Sequence, residues 1–409
     1  MKTRITNNGT CTTLYLEGRL DTVASQEVQS DIENLLESAR PVEQLVCDAS
    51  QLTYLSSSGL RILLGLRKRF PKFRLTEVCP EVYQVLEMTG FTKMMTVERA
   101  LRRMSVEGCE EIGRGGVGVV YRIDDDTIIK VFREGSDINE VRREITMSKE
   151  AFVLGMPTPI SFDVVRVGSQ YGLVYELLKA ETFSNCIRRQ PERIDEFARL
   201  YAGLFHQLHG IQVPQPSLIP SAMERVENAV RHIGRYFDAA SIDLLLRIVS
   251  VIPQGNRLLH CDLQTKNAMM QGDVTASRLH SETEQELMLI DMGEVSYGHP
   301  MIDLGNAQSA MVALIGDYEQ MIGIPREVGL DLWKRTMQYY FEGLSAAEFA
   351  HRMEQIETVG VVRNFSWLSL SDSFPDAVVR ECQQAFAERV TKHKDRLLDI
   401  SSTFGDWNL

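Results

Sequence analysis

Along the first hundred residues, two kinds of apolar spacing alternate. Cys11–Leu16 is a β-rich run, and Ala24–Ala39 carries Val28, Ile32, Leu35 and Leu36 at helical intervals. Gln44–Asp48 is a short apolar run of the kind that forms a buried strand. Ser58–Phe70 returns to helical spacing through Leu60, Ile62, Leu63 and Leu66. Phe73–Val78 predicts a further strand and Pro80–Met88 a further helix. Alternation of this kind predicts an α/β unit built on one sheet.

The periodicity fades through residues 99–110, so a boundary is expected near residue 105, with domains at 1–105 and 106–409. From Cys109 to Leu178 the pattern is strand-rich, with one helix around Asn139–Leu154. From Ala180 onward it is mostly helical. The clearest case is Ile194–His209, where Phe197, Leu200, Tyr201, Leu204, Phe205 and Leu208 share a face. A β-rich lobe at about 107–178 followed by a helical lobe at about 179–409 is a bilobal α+β arrangement, and the cleft between lobes is a common ligand site. Gln271–Glu286 is polar and reads as an exposed loop. No apolar run reaches the ~18 residues a membrane helix needs. The N-terminal charges precede no apolar stretch, so neither membrane nor secretion is expected and a cytoplasmic location is the default.

Charge changes the picture in one respect. Residues 1–105 hold 14 Lys+Arg against 12 Asp+Glu, while the whole chain is −12, so the second domain is strongly acidic. No basic stripe is available to displace counterions from a nucleic acid. The acidity suits a cationic ligand, and equally a solvated surface. Seven scattered cysteines without a CxxC pair read as free thiols in a reducing compartment.

The candidate chemistry lies in the second domain. Gly113, Gly115, Gly116 and Gly118 fit G-x-G-x-x-G-x-V, a pattern that lets a hairpin backbone pass close over phosphates and that a plain glycine-rich turn also fits. The strand-like run after Gly118 argues against a dinucleotide fold, which needs a helix there. Lys130 sits within the apolar strand Thr127–Phe132, suited to nucleotide α/β phosphates or to a place on an edge strand facing solvent. Glu144 is the first candidate to hold it, with Glu150 and then Glu140 as alternatives. His260-Cys-Asp262-Leu-Gln-Thr-Lys-Asn267 follows an apolar pair. Asp262 can accept or orient the proton of an attacking hydroxyl, and Asn267 can offer an amide oxygen to Mg²⁺. Asp291 ends the apolar run Leu287–Ile290 with Gly293 two residues on, which delivers a second oxygen ligand to Mg²⁺ on ATP phosphates.

These four features, in this order, resemble the aminoglycoside phosphotransferase/choline kinase branch of the protein-kinase-like fold. The resemblance implies Asp262, Asn267 and Asp291 as catalytic residues, with Asn267 and Asp291 as metal ligands. Cys261 stands where the family has glycine or arginine, with little expected bearing on chemistry. Asp303, in His-Pro-Met-Ile-Asp-Leu-Gly, matches a family aspartate that braces the H-x-D loop. The hinge near Tyr175, Glu176, Leu177 and Leu178 would turn backbone toward adenine. No A-P-E pattern follows Asp291, which favours small-molecule acceptors over protein ones. Trp367 and Trp407 could stack on an acceptor ammonium, with core packing as the default.

In the first domain, Ser56-Ser57-Ser58-Gly59-Leu60 opens a helix, where serines cap free N–H groups and a phosphate would also sit well. With EGRLD and LVCDAS before it, the segment resembles STAS domains of the anti-sigma-factor antagonist type. The resemblance implies that Ser57 is a phosphorylation site for a partner kinase. Ser56 replaces the family's aspartate, and Ser56 and Ser58 are alternative acceptors. The fold expected is thus an α/β STAS domain joined to an α+β bilobal protein-kinase-like domain. The function expected is ATP- and Mg²⁺-dependent phosphoryl transfer to a hydroxyl of a small molecule or protein, with the STAS domain binding a protein partner or a second copy. The alternative is a catalytically silent, nucleotide-sensing regulator that acts through the STAS domain.

Overall fold

The computed structural model describes residues 1–8, 11–38, 42–271, 286–370 and 374–407. The chain forms two compact units, Met1–Met104 and Ser105–Leu409.

The first unit is one five-stranded sheet whose strands lie in chain order: Lys2–Asn8, Cys11–Leu20, Gln44–Leu55, Lys72–Val78 and Thr96–Arg99. The first pair is antiparallel and the rest are parallel, each crossover carrying a helix. Ala24–Ser38 buries Val28, Ile32 and Leu36; Ser57–Arg69 buries Leu60, Leu63 and Leu66; Pro80–Met88 buries Val82 and Leu86. The central strand runs past Asp48 to Leu55 because Ala49, Leu52 and Leu55 continue its buried side. Ser56 ends it and caps the next helix, its hydroxyl accepting from Gly59 N at 3.3 Å. A side chain at Gly59 would meet Leu20 and Leu55 at 2.7 Å, so glycine is what allows this helix onto the sheet. Ser57, the first helical residue, is exposed.

The second unit opens with an antiparallel sheet. Its strands within this unit run in the order Ser161–Val167, Gln170–Glu176, Thr127–Phe132, Gly118–Arg122, Glu110–Arg114. Thr127–Phe132 is therefore interior, flanked on both sides, which removes the edge-strand reading of Lys130. Helix Ile138–Val153 lies against this sheet, capped by Asp137. A mainly helical part follows. Two short antiparallel ladders interrupt it: Ala180–Thr182, Ala268–Gln271 and Glu286–Leu289 in one, Arg257–Leu259 with Ser296–Gly298 in the other. The polar stretch read as an exposed loop begins and ends in paired strand residues, Gln271 opposite Glu286. Residues 272–285 lie outside the described residues. Helix Pro300–Met311 is buried along nearly its whole length and packs on helix Ala346–Ser366.

Both tryptophans named above pack against other side chains, and the ring face of Trp407 is taken by Arg352. Trp407 is buried edge-on to Phe341 at 5.5 Å, and Trp367 meets Phe374 at 4.9 Å. The seven cysteines are free. No described helix is long and apolar enough to cross a membrane.

Candidate active site

Lys130 projects from its interior strand to helix Ile138–Val153. Its Nζ donates to Glu144 Oε1 at 2.8 Å and to Asp291 Oδ1 at 3.1 Å. Glu144 is the partner because it shares the buried helical face with Val141, Met147, Ser148 and Ala151, whereas Glu140 is exposed and Glu150 only half-buried. Tyr175 supports it from the neighbouring strand, its hydroxyl donating to the same Glu144 oxygen at 2.9 Å. Burial pulls the Lys130 pKa down, but Asp291 and Glu144 outweigh it and the ammonium is held above its ordinary value.

The four glycines divide in role. Gly115 N bonds to Gly118 O at 2.9 Å and closes the turn. A side chain at Gly115 or Gly116 would meet nothing, whereas one at Gly118 would strike Val131 O at 2.2 Å. Gly118 is thus required by strand packing, and Gly115 and Gly116 form the open tip. Gly113 pairs with Val120 across the hairpin. At the other end of the sheet, Glu176 is tied twice to Ile160: its N–H donates to Ile160 O at 2.9 Å and its carboxylate accepts from Ile160 N at 3.2 Å. Leu177 N donates to Asp126 O at 2.8 Å.

The ladder between Ala268–Gln271 and Glu286–Leu289 brings Asn267 and Asp291 to the same end, with Ile290 N donating to Asn267 O at 2.9 Å. The Asn267 side-chain amide donates to Asp262 O and to Asp262 Oδ2, both at 2.9 Å, which leaves its own carbonyl oxygen free to turn elsewhere. Asn267 Oδ1 and the half-exposed Asp291 carboxylate are hard oxygen donors of the kind Mg²⁺ takes, so the residues present fit that ion. Burial raises the Asp262 pKa to about 7. The strongest opposing influence is Arg363, with Asp291 and Glu294 adding to the rise and the Asn267 hydrogen bond countering it.

Beneath this loop, Asp303 is fully buried and acts as a clasp. Its carboxylate accepts from Cys261 N at 2.7 Å and His260 N at 3.3 Å, while His209 Nε2 donates to it at 3.2 Å. His209 Nδ1 meets the Tyr340 hydroxyl at 2.8 Å, and Asn306 donates to Cys261 O at 3.0 Å. His260 Nε2 donates to Ile290 O at 3.1 Å, and its Nδ1 accepts from Asp262 N at 3.3 Å. Burial holds His260 neutral, below its ordinary pKa, against the pull of Asp303. Cys261 and Asp291 both take left-handed backbone, at φ 63° and 66°. Cys261 thus occupies a conformation suited to glycine, which costs backbone energy rather than chemistry.

Several residues here escaped the sequence reading. His209 and Tyr340 lie on amphipathic helices that explain themselves as core. Asn306 stands three residues after Asp303, a helical spacing that does point both to one side. Arg225 donates to the Gly293 and Val295 carbonyls, each at 3.4 Å, and pairs with Glu294 at 2.8 Å. Nothing in its local sequence marks it.

Residues 109–321 match the model of the phosphotransferase enzyme family, and residues 2–104 match the STAS domain. The chain belongs to the phosphotransferase enzyme family, with a STAS domain ahead of the transferase. Among solved structures, it is similar to an ADP-bound aminoglycoside phosphotransferase, APH(2'')-Ib, at 13% identity, covering 80% of this chain and 98% of that one, with a TM-score of 0.43. It is also similar to aminoglycoside phosphotransferase APH(3'')-Id from Streptomyces rimosus, at 14% identity over 62% of this chain and 93% of that one, TM-score 0.38. An anti-sigma factor antagonist from Mycobacterium paratuberculosis matches at 21% identity over 24% of this chain and 84% of that one, TM-score 0.22. Comparison with curated protein sequences returns no match.

Proposed function

We propose that residues 106–409 transfer the γ-phosphate of ATP to a hydroxyl, dependent on Mg²⁺, and that residues 1–105 serve as a regulatory, partner-binding module in the cytoplasm. One observation carries this reading. Residues scattered from Lys130 to Asp291 converge through Glu144 to Lys130, Lys130 to Asp291, the neighbouring Ile290 to Asn267, and Asn267 to Asp262. Lys130 would hold the α/β phosphates, with Gly113, Gly115, Gly116 and Gly118 covering them. Glu176 lies at the hinge. Because the Glu176 and Leu177 N–H groups are already engaged, the adenine donor would fall to Leu178. Asn267 and Asp291 would hold Mg²⁺, which supplies charge neutralisation at the phosphates.

In the transfer, the acceptor oxygen bonds to the γ-phosphorus as the bond to the β-phosphate oxygen breaks, and ADP leaves. The hydroxyl proton passes to Asp262. The measurement is ADP release across a panel of hydroxyl compounds, run beside Asp262→Ala. Equal turnover by that variant would rule out Asp262 as base or orienter.

For the STAS module, we propose Ser57 as a phosphate acceptor, for this chain's own transferase or for a partner kinase. It is exposed at the start of a helix, where an added negative charge gains roughly 0.3–1 kcal/mol. Mapping phosphate by mass spectrometry after incubation with Mg²⁺-ATP tests the first route. Bare Ser56, Ser57 and Ser58 would leave only a partner kinase.

A further inference from the structure

Helices Pro300–Met311 and Ala346–Ser366 cross at two glycines. A side chain at Gly305 would meet Val359 at 2.6 Å, and one at Gly360 would meet Gly305 O at 3.0 Å. Gly360 also lines a cavity of about 670 Å³, within the size range of small-molecule sites. The cavity shares no lining residue with the site around Asp262. Gln308 lines it too; this side chain is 7% exposed, and its oxygen has no donor among the described residues. An amide oxygen buried in this way has given up water without a replacement, so a donor brought to it is a net gain.

The charges lining the cavity come from two segments. Helix Ala346–Ser366 contributes Glu354 and Glu357. The chain after helix Asp376–Phe386 contributes Glu388, Arg389, Lys392, His393 and Arg396. It begins with a single π-helical turn, Ala387–Thr391, a rare element found often at functional sites. This segment is pinned at two points. Arg396 pairs with Glu354 at 2.9 Å, and Arg389 donates to Ala313 O at 2.7 Å. Between these pins, Glu357, Glu388, Lys392 and His393 make no ion pair with one another or with any other described residue. Three carboxylates, Glu354, Glu357 and Glu388, thus share the cavity with three permanent cations, Arg389, Lys392 and Arg396. A purely anionic ligand would be repelled by the first set and a purely cationic one by the second.

We propose that this cavity binds a small zwitterion of the α-amino-acid class. Its carboxylate is held by Lys392, its ammonium by Glu357, and one of its N–H groups donates to Gln308. Such a molecule gains from both signs of lining charge and adds no net charge to the cavity. Each end makes a charge-assisted hydrogen bond, roughly twice as strong as a neutral one. The binding asks nothing of the phosphotransferase reading, and is measured without nucleotide.

The test uses the full chain at fixed ionic strength. Calorimetry with each common L-amino acid identifies the best binder, which is then compared with its own N-acetyl and carboxamide forms. Inorganic phosphate and ethylamine serve as single-charge controls. At least one amino acid should bind with a Kd of about 1 mM or tighter. Each blocked form lacks one charge and should bind about tenfold or more weakly, the scale of one charge-assisted contact. Glu357→Gln should weaken the amino acid about tenfold but leave its N-acetyl form unchanged. Lys392→Gln should do the same with the carboxamide form as the unaffected one. Both residues are exposed, and the unaffected ligand in each case separates a lost contact from a lost fold. Absence of binding by every amino acid overturns the proposal. So do blocked forms or single-charge controls that bind as tightly as the amino acid. Binding that neither variant alters overturns it as well, because the site would then lie elsewhere.

Discussion

The two loops that flank the proposed nucleotide site are held in opposite ways. The His260–Asn267 loop is gripped from below by Asp303, Asn306 and, through Asp303, His209, and its backbone carries a left-handed Cys261. The glycine turn at residues 113–118 is held near its base, where Gly118 presses on Val131 and Val117 O accepts from Arg133 N at 3.0 Å, and space is open where side chains at Gly115 and Gly116 would stand. Chemistry that depends on sub-ångström placement of a carboxylate needs over-determined backbone. A cover over phosphates needs to close on something that comes and goes. Bracing therefore follows the task of each loop rather than its place in the fold.

If that contrast is right, the largest functional loss comes from the reacting carboxylate itself. Asp262→Ala should lower phosphoryl transfer by about a thousandfold or more while ATP affinity stays within a few fold. Asn267→Ala and Asp291→Ala should instead weaken Mg²⁺-dependent nucleotide binding. An identical Mg²⁺ effect on nucleotide affinity in wild type and both variants would remove them as ligands.

The next largest effect is on stability. Asp303→Ala strands the buried N–H groups of His260 and Cys261 and the ring of His209. A cost of about 3–5 kcal/mol is expected, seen as a fall in Tm together with lost turnover. Asp303→Asn keeps an acceptor oxygen and should lose less. A Tm for Asp303→Ala within about 2 °C of wild type would mean the clasp is not what holds the loop.

Within the glycine turn the prediction is a split. Gly118→Ala should cost about 1–3 kcal/mol, since its Cβ lands on a backbone oxygen that cannot swing aside. Gly115→Ala and Gly116→Ala should change stability by less than about 0.5 kcal/mol and show themselves as a higher KM for ATP. Equal destabilisation at all three would remove the division between base and tip.

Much of this was legible before any coordinates. The helix at Ile194–Gly210 and the sheet-and-helix alternation of the first unit follow from periodicity, because amphipathic burial writes itself at regular intervals. Lys130, Asp262, Asn267 and Asp291 stood out because short motifs fix their spacing, while Glu144 was the first of three candidate glutamates until the buried helix face decided among them. Strands Lys2–Asn8 and Thr96–Arg99 did not stand out. Both lie at sheet edges and bury little, so they leave no apolar signature. The clasp beneath the loop was legible at Asp303 and, through its three-residue helical spacing, in part at Asn306. Its other members, His209 and Tyr340, sit far apart in sequence on helices whose patterns are accounted for by packing alone. Arg225 and Arg363 illustrate the same limit, since a lone arginine on a helix reads as surface until its neighbours are known.

The smallest expected effect concerns Cys261. At φ 63° an L-residue carries roughly 1–2 kcal/mol of backbone cost, which Cys261→Gly would relieve. Against this, glycine adds about 0.4–1 kcal/mol of unfolded-chain entropy and gives up a buried thiol that packs in the core. These terms nearly cancel, so Tm should move by no more than about 3 °C. Turnover should hold, because the N–H to Asp303 and the carbonyl to Asn306 belong to the backbone and survive the change. Cys261→Val is the counterpart: a β-branched residue tolerates left-handed backbone worst, and both Tm and turnover should fall. If Cys261→Gly instead loses most of its turnover at an unchanged Tm, backbone bracing is not the whole account of this loop, and the thiol itself has a part in the reaction.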